Sequence, residues 1–270
     1  MPDLTITSAD GTKLAARRSG RGSPLVLVHG ANGDLDTFAL IEGALAERHT
    51  VWVYSRRGRG GSSDGADYGL QREVEDVLAV LAATGDRAHL LGHSGGAVYC
   101  LLTAQQTRSL RSLVLYEPPL RLDNLDDSDR TVIDDIQSAL DTGHPDQALE
   151  LFCPIAGIVD HEIQALRSLA PVWNRLQAGV LLAPREIKAG LEEAREQFAA
   201  FEPPDVPTLY LYGEATQAPI FPTLDEVAVL LPNAQLHGLA RQRHLAFAFD
   251  PTTFTQAVLT FTTSHNKCVT

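Results

Sequence analysis

Cysteine is scarce in this 270-residue chain: Cys100, Cys153 and Cys268 are its only three, and no two share a C-x-x-C spacing. They read as free thiols in a reducing compartment, so a cytoplasmic location is expected. Basic residues are outnumbered, with 22 Lys and Arg against 34 Asp and Glu and a formal net charge of −12 at pH 7. Nucleic acid and anionic membranes repel such a surface, and neither is expected as a partner. No apolar run reaches the length of a membrane span. Met1-Pro2-Asp3-Leu4 has neither the basic start nor the apolar core of a signal peptide. The acidic cluster Asp123, Asp126, Asp127 and Asp129 lacks the spacing and the glycine of a calcium loop. It reads as an acidic entrance or a solvated turn, and no metal or cofactor is expected. The chain has no internal repeat, and its length allows one large or two small domains.

What is present is a regular alternation of strand and helix signals. Leu4 to Thr7 alternates, Asp10-Gly11 is a hairpin turn signal, and Lys13 to Arg18 returns. Leu25-Val26-Leu27-Val28 is a continuous apolar run, as in a buried parallel strand. Leu35 to Arg48 has helical periodicity, with Asp34 as a candidate cap. Thr50 to Tyr54 predicts a strand, Leu70 to Thr84 a helix, Ala88 to Leu91 a strand, Ala97 to Gln106 a helix and Leu110 to Tyr116 a strand. From Leu120 to Phe201 the pattern is helical and amphipathic, with no strand signal. The alternation resumes with strands at Thr208 to Tyr212 and Ala234 to Gly238, a helix from Thr223 to Leu231, and a last helix from His244 to Thr263. The expected fold is α/β, with a mostly parallel eight-stranded sheet flanked by helices and a helical lid inserted after the strand ending near Glu117. Residues 1–119 and 202–264 would form the core, 120–201 the lid, and 265–270 a frayed tail.

The most informative stretch is Leu90-Leu91-Gly92-His93-Ser94-Gly95-Gly96-Ala97-Val98. A strand, a sharp turn flanked by glycines and a helix are the context of a nucleophile elbow. Glycines two positions either side leave room for a Ser in a strained conformation, and the helix start aims free amides at its oxygen. The alternative is a plain glycine-rich turn.

From Leu25 to Phe261 the chain resembles the α/β-hydrolase superfamily, closest to its lidded esterase, lactonase and dehalogenase-like branch. The resemblance rests on His29-Gly30, Tyr54-Ser55-Arg56-Arg57-Gly58-Arg59-Gly60, Gly92-His93-Ser94-Gly95-Gly96, and Gly238 with His244. Ser55 stands where the family has Asp. The resemblance implies Ser94 as nucleophile and His244, in the loop before the last helix, as base, with His237 the alternative. Of the remaining histidines, His29 and His93 read as loop-shaping and His89 as a strand residue. His49 and His265 have surface-like contexts, and His144 and His161 belong to the lid. The usual acid position holds Thr216, which cannot carry charge. A second position used by dehalogenase-like members holds Glu117 and is the preferred acid; Glu214 or a dyad without acid stay open. The oxyanion donors would be the amides of Ala31 and Gly95, with Asn32 a further substrate contact or a loop cap.

Phe152, Ile155, Ile158, Trp173, Leu176 and Leu181 are candidate pocket residues of the lid, with Phe221 reaching from the other side. Their spacing also suits simple lid core. The expected function is a serine hydrolase of a neutral, fairly apolar small-molecule ester, lactone or thioester. A cyclase, lyase or non-catalytic receptor built on the same fold is the alternative. Oligomeric state is not legible.

Overall fold

The computed structural model describes residues 3–120, 127–199, 201–218 and 220–266. Eight strands form one sheet: β1 (Leu4–Thr7), β2 (Lys13–Gly20), β3 (Ser23–Val28), β4 (His49–Tyr54), β5 (Ala88–His93), β6 (Leu110–Tyr116), β7 (Thr208–Gly213) and β8 (Gln235–Leu239). Their order is β1-β2-β4-β3-β5-β6-β7-β8. β1 with β2 and β2 with β4 pair antiparallel, and all later pairs are parallel. β3 lies between β4 and β5, so successive connections leave it in opposite directions. A crevice opens at the carboxyl ends of β3 and β5, where open α/β sheets hold their ligands.

Period-two alternation assigns the two faces. Val26 and Val28 pack with α2 (Leu70–Thr84) and α3 (Gly95–Gln106). Leu25 and Leu27 pack with α1 (Ala39–Ala46), α10 (Ala246–Phe249) and α11 (Pro251–Ser264). In α2 the apolar positions Val74, Val77 and Leu81 recur at helical spacing, and Gly85 ends the helix in the left-handed region. Between β6 and β7 lie α4 (Asp127–Asp141), α5 (Pro145–Ile155), α6 (Asp160–Ser168), α7 (Ala170–Val180) and α8 (Ala183–Ala199). These five helices share an apolar cluster of their own, against which Ala31 and Leu245 of the sheet domain pack.

Three sequence expectations change here. The helix expected from Leu35 begins only at Ala39, and Asp34 caps no helix: its carboxylate accepts the Asp36 amide inside a turn. Leu35 is held in that turn by its own amide, which donates to Ser55 Oγ. The last helix is two, because Pro251 starts a new one and Asp250 before it leaves the helical conformation, its side chain accepting the Thr253 amide. His49 is fully buried rather than superficial. Asp123 and Asp126 lie outside the described residues, whereas Asp127 and Asp129 fall in the first turn of α4. Cys100 and Cys153 are buried and unpaired. Among the described residues no helix is long and apolar enough to cross a membrane, and no group of three or more His, Cys, Asp or Glu could hold a metal.

His49 belongs to a polar seam at the amino ends of the strands. Its Nδ1 meets Ser23 Oγ at 3.0 Å and its Nε2 meets Thr262 Oγ1 at 2.8 Å. The His89 ring, 5.1 Å away, contacts Ser112 Oγ at 2.7 Å and Asn266 Oδ1 at 2.9 Å. Burial pushes His89 from the ordinary 6.5 down to about 4, and lowers His49 as well. An unfolded chain binds these protons first, so the stability they contribute is complete above pH 6.5 and is lost as pH falls towards 4. For His89 the loss amounts to about 3 kcal/mol. Urea unfolding at pH 7 and pH 4.5 should show wild type losing more stability than His89→Asn; parallel losses would contradict the assignment.

Candidate active site

Four non-glycine residues have positive φ among those described: Asn32 (59°), Ser94 (54°), Glu117 (46°) and Arg241 (61°). They follow the carboxyl ends of β3, β5, β6 and β8, so the backbone strain gathers around one crevice. Ser94 sits at the β5–α3 turn with ψ of −129°, and the turn closes only because its neighbours lack side chains. A Cβ on Gly92 would come within 2.5 Å of Ala97 Cα, and one on Gly96 within 2.4 Å of the Val28 carbonyl. Gly95 and Gly96 open α3, so their amides have no acceptor within the helix.

His244 is 2% exposed, in the loop between β8 and α10. Its Nδ1–H donates to Glu117 Oε2 at 2.7 Å, while Glu117 Oε1 accepts the Gly213 amide at 2.7 Å. With Nδ1 committed, Nε2 carries the lone pair. Two rings fix the imidazole plane: His93 at 4.5 Å between centroids and Phe221 at 4.8 Å. His93 also donates from Nε2 to the His244 carbonyl at 2.9 Å, and burial keeps it well below the ordinary histidine range, hence neutral. Tyr116 ties the same loop down by donating to the Arg243 carbonyl and accepting the Ala246 amide.

Ser94 and His244 line one cavity of about 340 Å³, together with Gly30, Ala31 and Asn32. Its far wall is apolar, formed by Leu149, Phe152 and Ile158 beside Leu166 and Leu176. At the mouth Arg175 pairs with Asp34 at 3.5 Å, next to Asp36. Cys153 also lines the cavity, but burial pushes its thiol up to about 12, which leaves it unreactive beside Ser94.

The geometry thus brings together Ser94, His244, Glu117, Ala31, Asn32 and Phe152, and separates others. Trp173 is buried within the helical insertion and donates from Nε1 to Asp146 at 2.6 Å, so it does not reach the cavity. Its indole N–H needed an acceptor, and that requirement turned the ring away. Phe221 packs at a tilt against His244 but opens onto a separate cleft. Leu181 is 56% exposed, and Ile155 packs within the insertion. Glu214 is exposed and lies over Gly238, where a Cβ would approach its Oε1 to 2.8 Å. Thr216 Oγ1 is buried without a partner. His237 is exposed on β8. Sequence reasoning missed the second role of His93 as a backbone tether, and the place of Arg175 and Asp34 at the mouth. Both depend on contacts between segments far apart in the chain, which no local pattern encodes.

A model of the alpha/beta hydrolase family matches residues 25–257. An alpha/beta hydrolase of Sphaerobacter thermophilus superposes with a TM-score of 0.79 at 32% identity, covering 96% of this chain and 100% of that one. The enol-lactonase of Burkholderia xenovorans superposes with a TM-score of 0.77 at 20% identity, covering 96% and 100%, a likeness of fold. The N-formylmaleamate deformylase of Pseudomonas putida is 39% identical over 108 residues, 38% of this chain and 40% of that protein, so the match spans less than half of that relative's length. With the family match running from the strand before the crevice into the final helix, the chain belongs to the alpha/beta hydrolase family.

Proposed function

We propose that this hydrolase, which acts on small molecules, is a serine carboxylic-ester hydrolase for neutral, largely apolar esters, lactones or thioesters. The observation that carries the reading is the buried 2.7 Å contact between His244 Nδ1 and Glu117, on a ring that lines one cavity with Ser94. Ser94 Oγ attacks the acyl carbon as its proton passes to His244 Nε2. Glu117 holds the ring in the Nδ1–H tautomer and stabilises the imidazolium that forms. The oxyanion is met by the amides of Gly95, at the positive end of α3, and Ala31. His244 then protonates the departing alcohol or thiol, and water bound to the same imidazole releases the acyl group.

The helical insertion serves as the lid, with Phe152 in the wall that meets the acyl portion and Asn32 beside the reacting carbonyl. The apolar wall favours aliphatic or aromatic groups through burial of their surface. Asp34 and Asp36 at the mouth, Arg175 being already paired, together with the acidic surface disfavour anionic substrates. A fluorophosphonate probe tests the reading: it should label the chain once, at Ser94, and abolish hydrolysis of p-nitrophenyl butyrate in proportion. A folded protein that hydrolyses the ester with Ser94 unlabelled would leave the proposal without its nucleophile.

A further inference from the structure

We infer that Arg56 is a positioning residue for the oxyanion loop, and that Glu186 of the helical insertion completes its charge balance. The inference rests on the serine-hydrolase reading and names what aims one of its two amides. The Gly30 carbonyl accepts two hydrogen bonds, from His29 Nδ1 at 2.8 Å and from Arg56 Nη1 at 3.1 Å. The Arg56 amide donates to His29 Nε2 at 3.1 Å, which fixes the imidazole tautomer that makes the first of them. A trans peptide is planar, so the Gly30 carbonyl and the Ala31 amide point in opposite directions. With the carbonyl gripped on the buried side, the Ala31 N–H is turned towards the side where Gly30, Ala31 and Ser94 line the cavity. The peptide is also close to the nucleophile: a Cβ on Gly30 would stand 2.7 Å from Ser94 Cβ. A full positive charge on the carbonyl further polarises the amide that shares its peptide.

The guanidinium is wholly buried, and its counter-ions come from two parts of the fold. Glu73 on α2 takes it bidentately, at 3.0 Å from Nε and 2.6 Å from Nη2. Burial disfavours the Arg56 charge, but Glu73 together with Tyr99 and Tyr68 outweighs it and holds the group well above its ordinary range. A second buried cation, Arg59, stands near, lowered to about 10 by burial and by Arg56, with its Nε and Nη1 unpartnered. Two cations against Glu73 would leave an excess charge in the interior. Glu186 on α8 removes it by pairing with Arg59 and lying 3.2 Å from Arg56 Nη2. The insertion touches the loop from its other side too, since α7 passes so near Asn32 that a Cβ on Gly179 would meet its backbone at 2.4 Å.

Arg56→Met combined with Glu73→Met tests the placement, because removing both partners leaves no orphan charge. Turnover should fall about 100-fold with KM within 3-fold, as for loss of one oxyanion donor. Inhibition by phenylboronic acid, which forms a tetrahedral adduct, should weaken by the same factor. The pH profile should keep its shape, His244 and Glu117 being untouched. Glu186→Gln, which keeps the side-chain shape, serves if the double variant does not melt cooperatively; it should lose about 10-fold in turnover and in boronate affinity together. Turnover and boronate inhibition within 3-fold of wild type in either folded variant, or a change confined to KM, would overturn the assignment. Fluorophosphonate labelling of wild-type Ser94 separates the two levels: without labelling the serine reading falls and takes this inference with it, whereas labelling with unaffected variants removes Arg56 alone.

Discussion

Ser94→Ala is expected to lower ester hydrolysis by about 10⁶-fold while leaving the protein folded. The side chain is half-buried and supplies no hydrogen bond to the architecture, so its loss opens no gap in the sheet. Some rate above water should persist, because the two oxyanion amides and the apolar wall remain to bind and polarise a carbonyl. Stability should move in the opposite direction when the backbone is relieved. Ser94 holds φ at 54° and ψ at −129°, a conformation that costs any residue with a Cβ. Ser94→Gly should therefore be more stable than wild type by about 1 kcal/mol and melt higher, with hydrolysis as low as in Ser94→Ala. Thermal unfolding of the Ala and Gly variants beside p-nitrophenyl butyrate assays checks both halves. An inactive Gly variant that is also less stable would mean that the turn is not strained.

Glu117→Gln should cost about 10⁴-fold in turnover, roughly 5.5 kcal/mol of transition-state stabilisation, with the fold intact. The reason is which atom faces which donor. Glu117 Oε1 accepts the Gly213 amide and Oε2 accepts from His244 Nδ1. In the glutamine the single oxygen must stay with the Gly213 donor, so the NH₂ faces His244 Nδ1. That ring then accepts at Nδ1 and carries its proton on Nε2, where it cannot take one from Ser94. Glu214→Gln should stay within 2-fold, its carboxylate being exposed and over Gly238. Steady-state kinetics of the two variants decide the acid, and a larger loss at Glu214 would reverse the assignment.

Much of the scaffold is legible in the amino-acid sequence. The sheet strands from Leu4 to Leu239 register as apolar runs or alternations, and α2 matches its expected span residue for residue. The errors fall where tertiary contacts overrule local pattern. Periodicity from Leu35 loses to a turn that Ser55 holds from a neighbouring strand end. His49 stands in a polar local context, yet it is interior because Ser23 and Thr262 satisfy both ring nitrogens. Trp173 has the size of a pocket residue, and one hydrogen bond to Asp146 keeps it in the insertion. Arg56 was visible as part of a motif, but its partners Gly30, Glu73 and Glu186 lie 26, 17 and 130 positions away.

By itself the sequence determined the strand and helix order, the glycine-flanked turn at Ser94 and the acidic balance of the surface, because these depend on neighbours within a few residues or on composition. Only the tertiary structure decided which carboxylate meets His244. That contact joins positions 127 residues apart, and it exists because β6 and β7 lie side by side and the loop after β8 folds back over their ends.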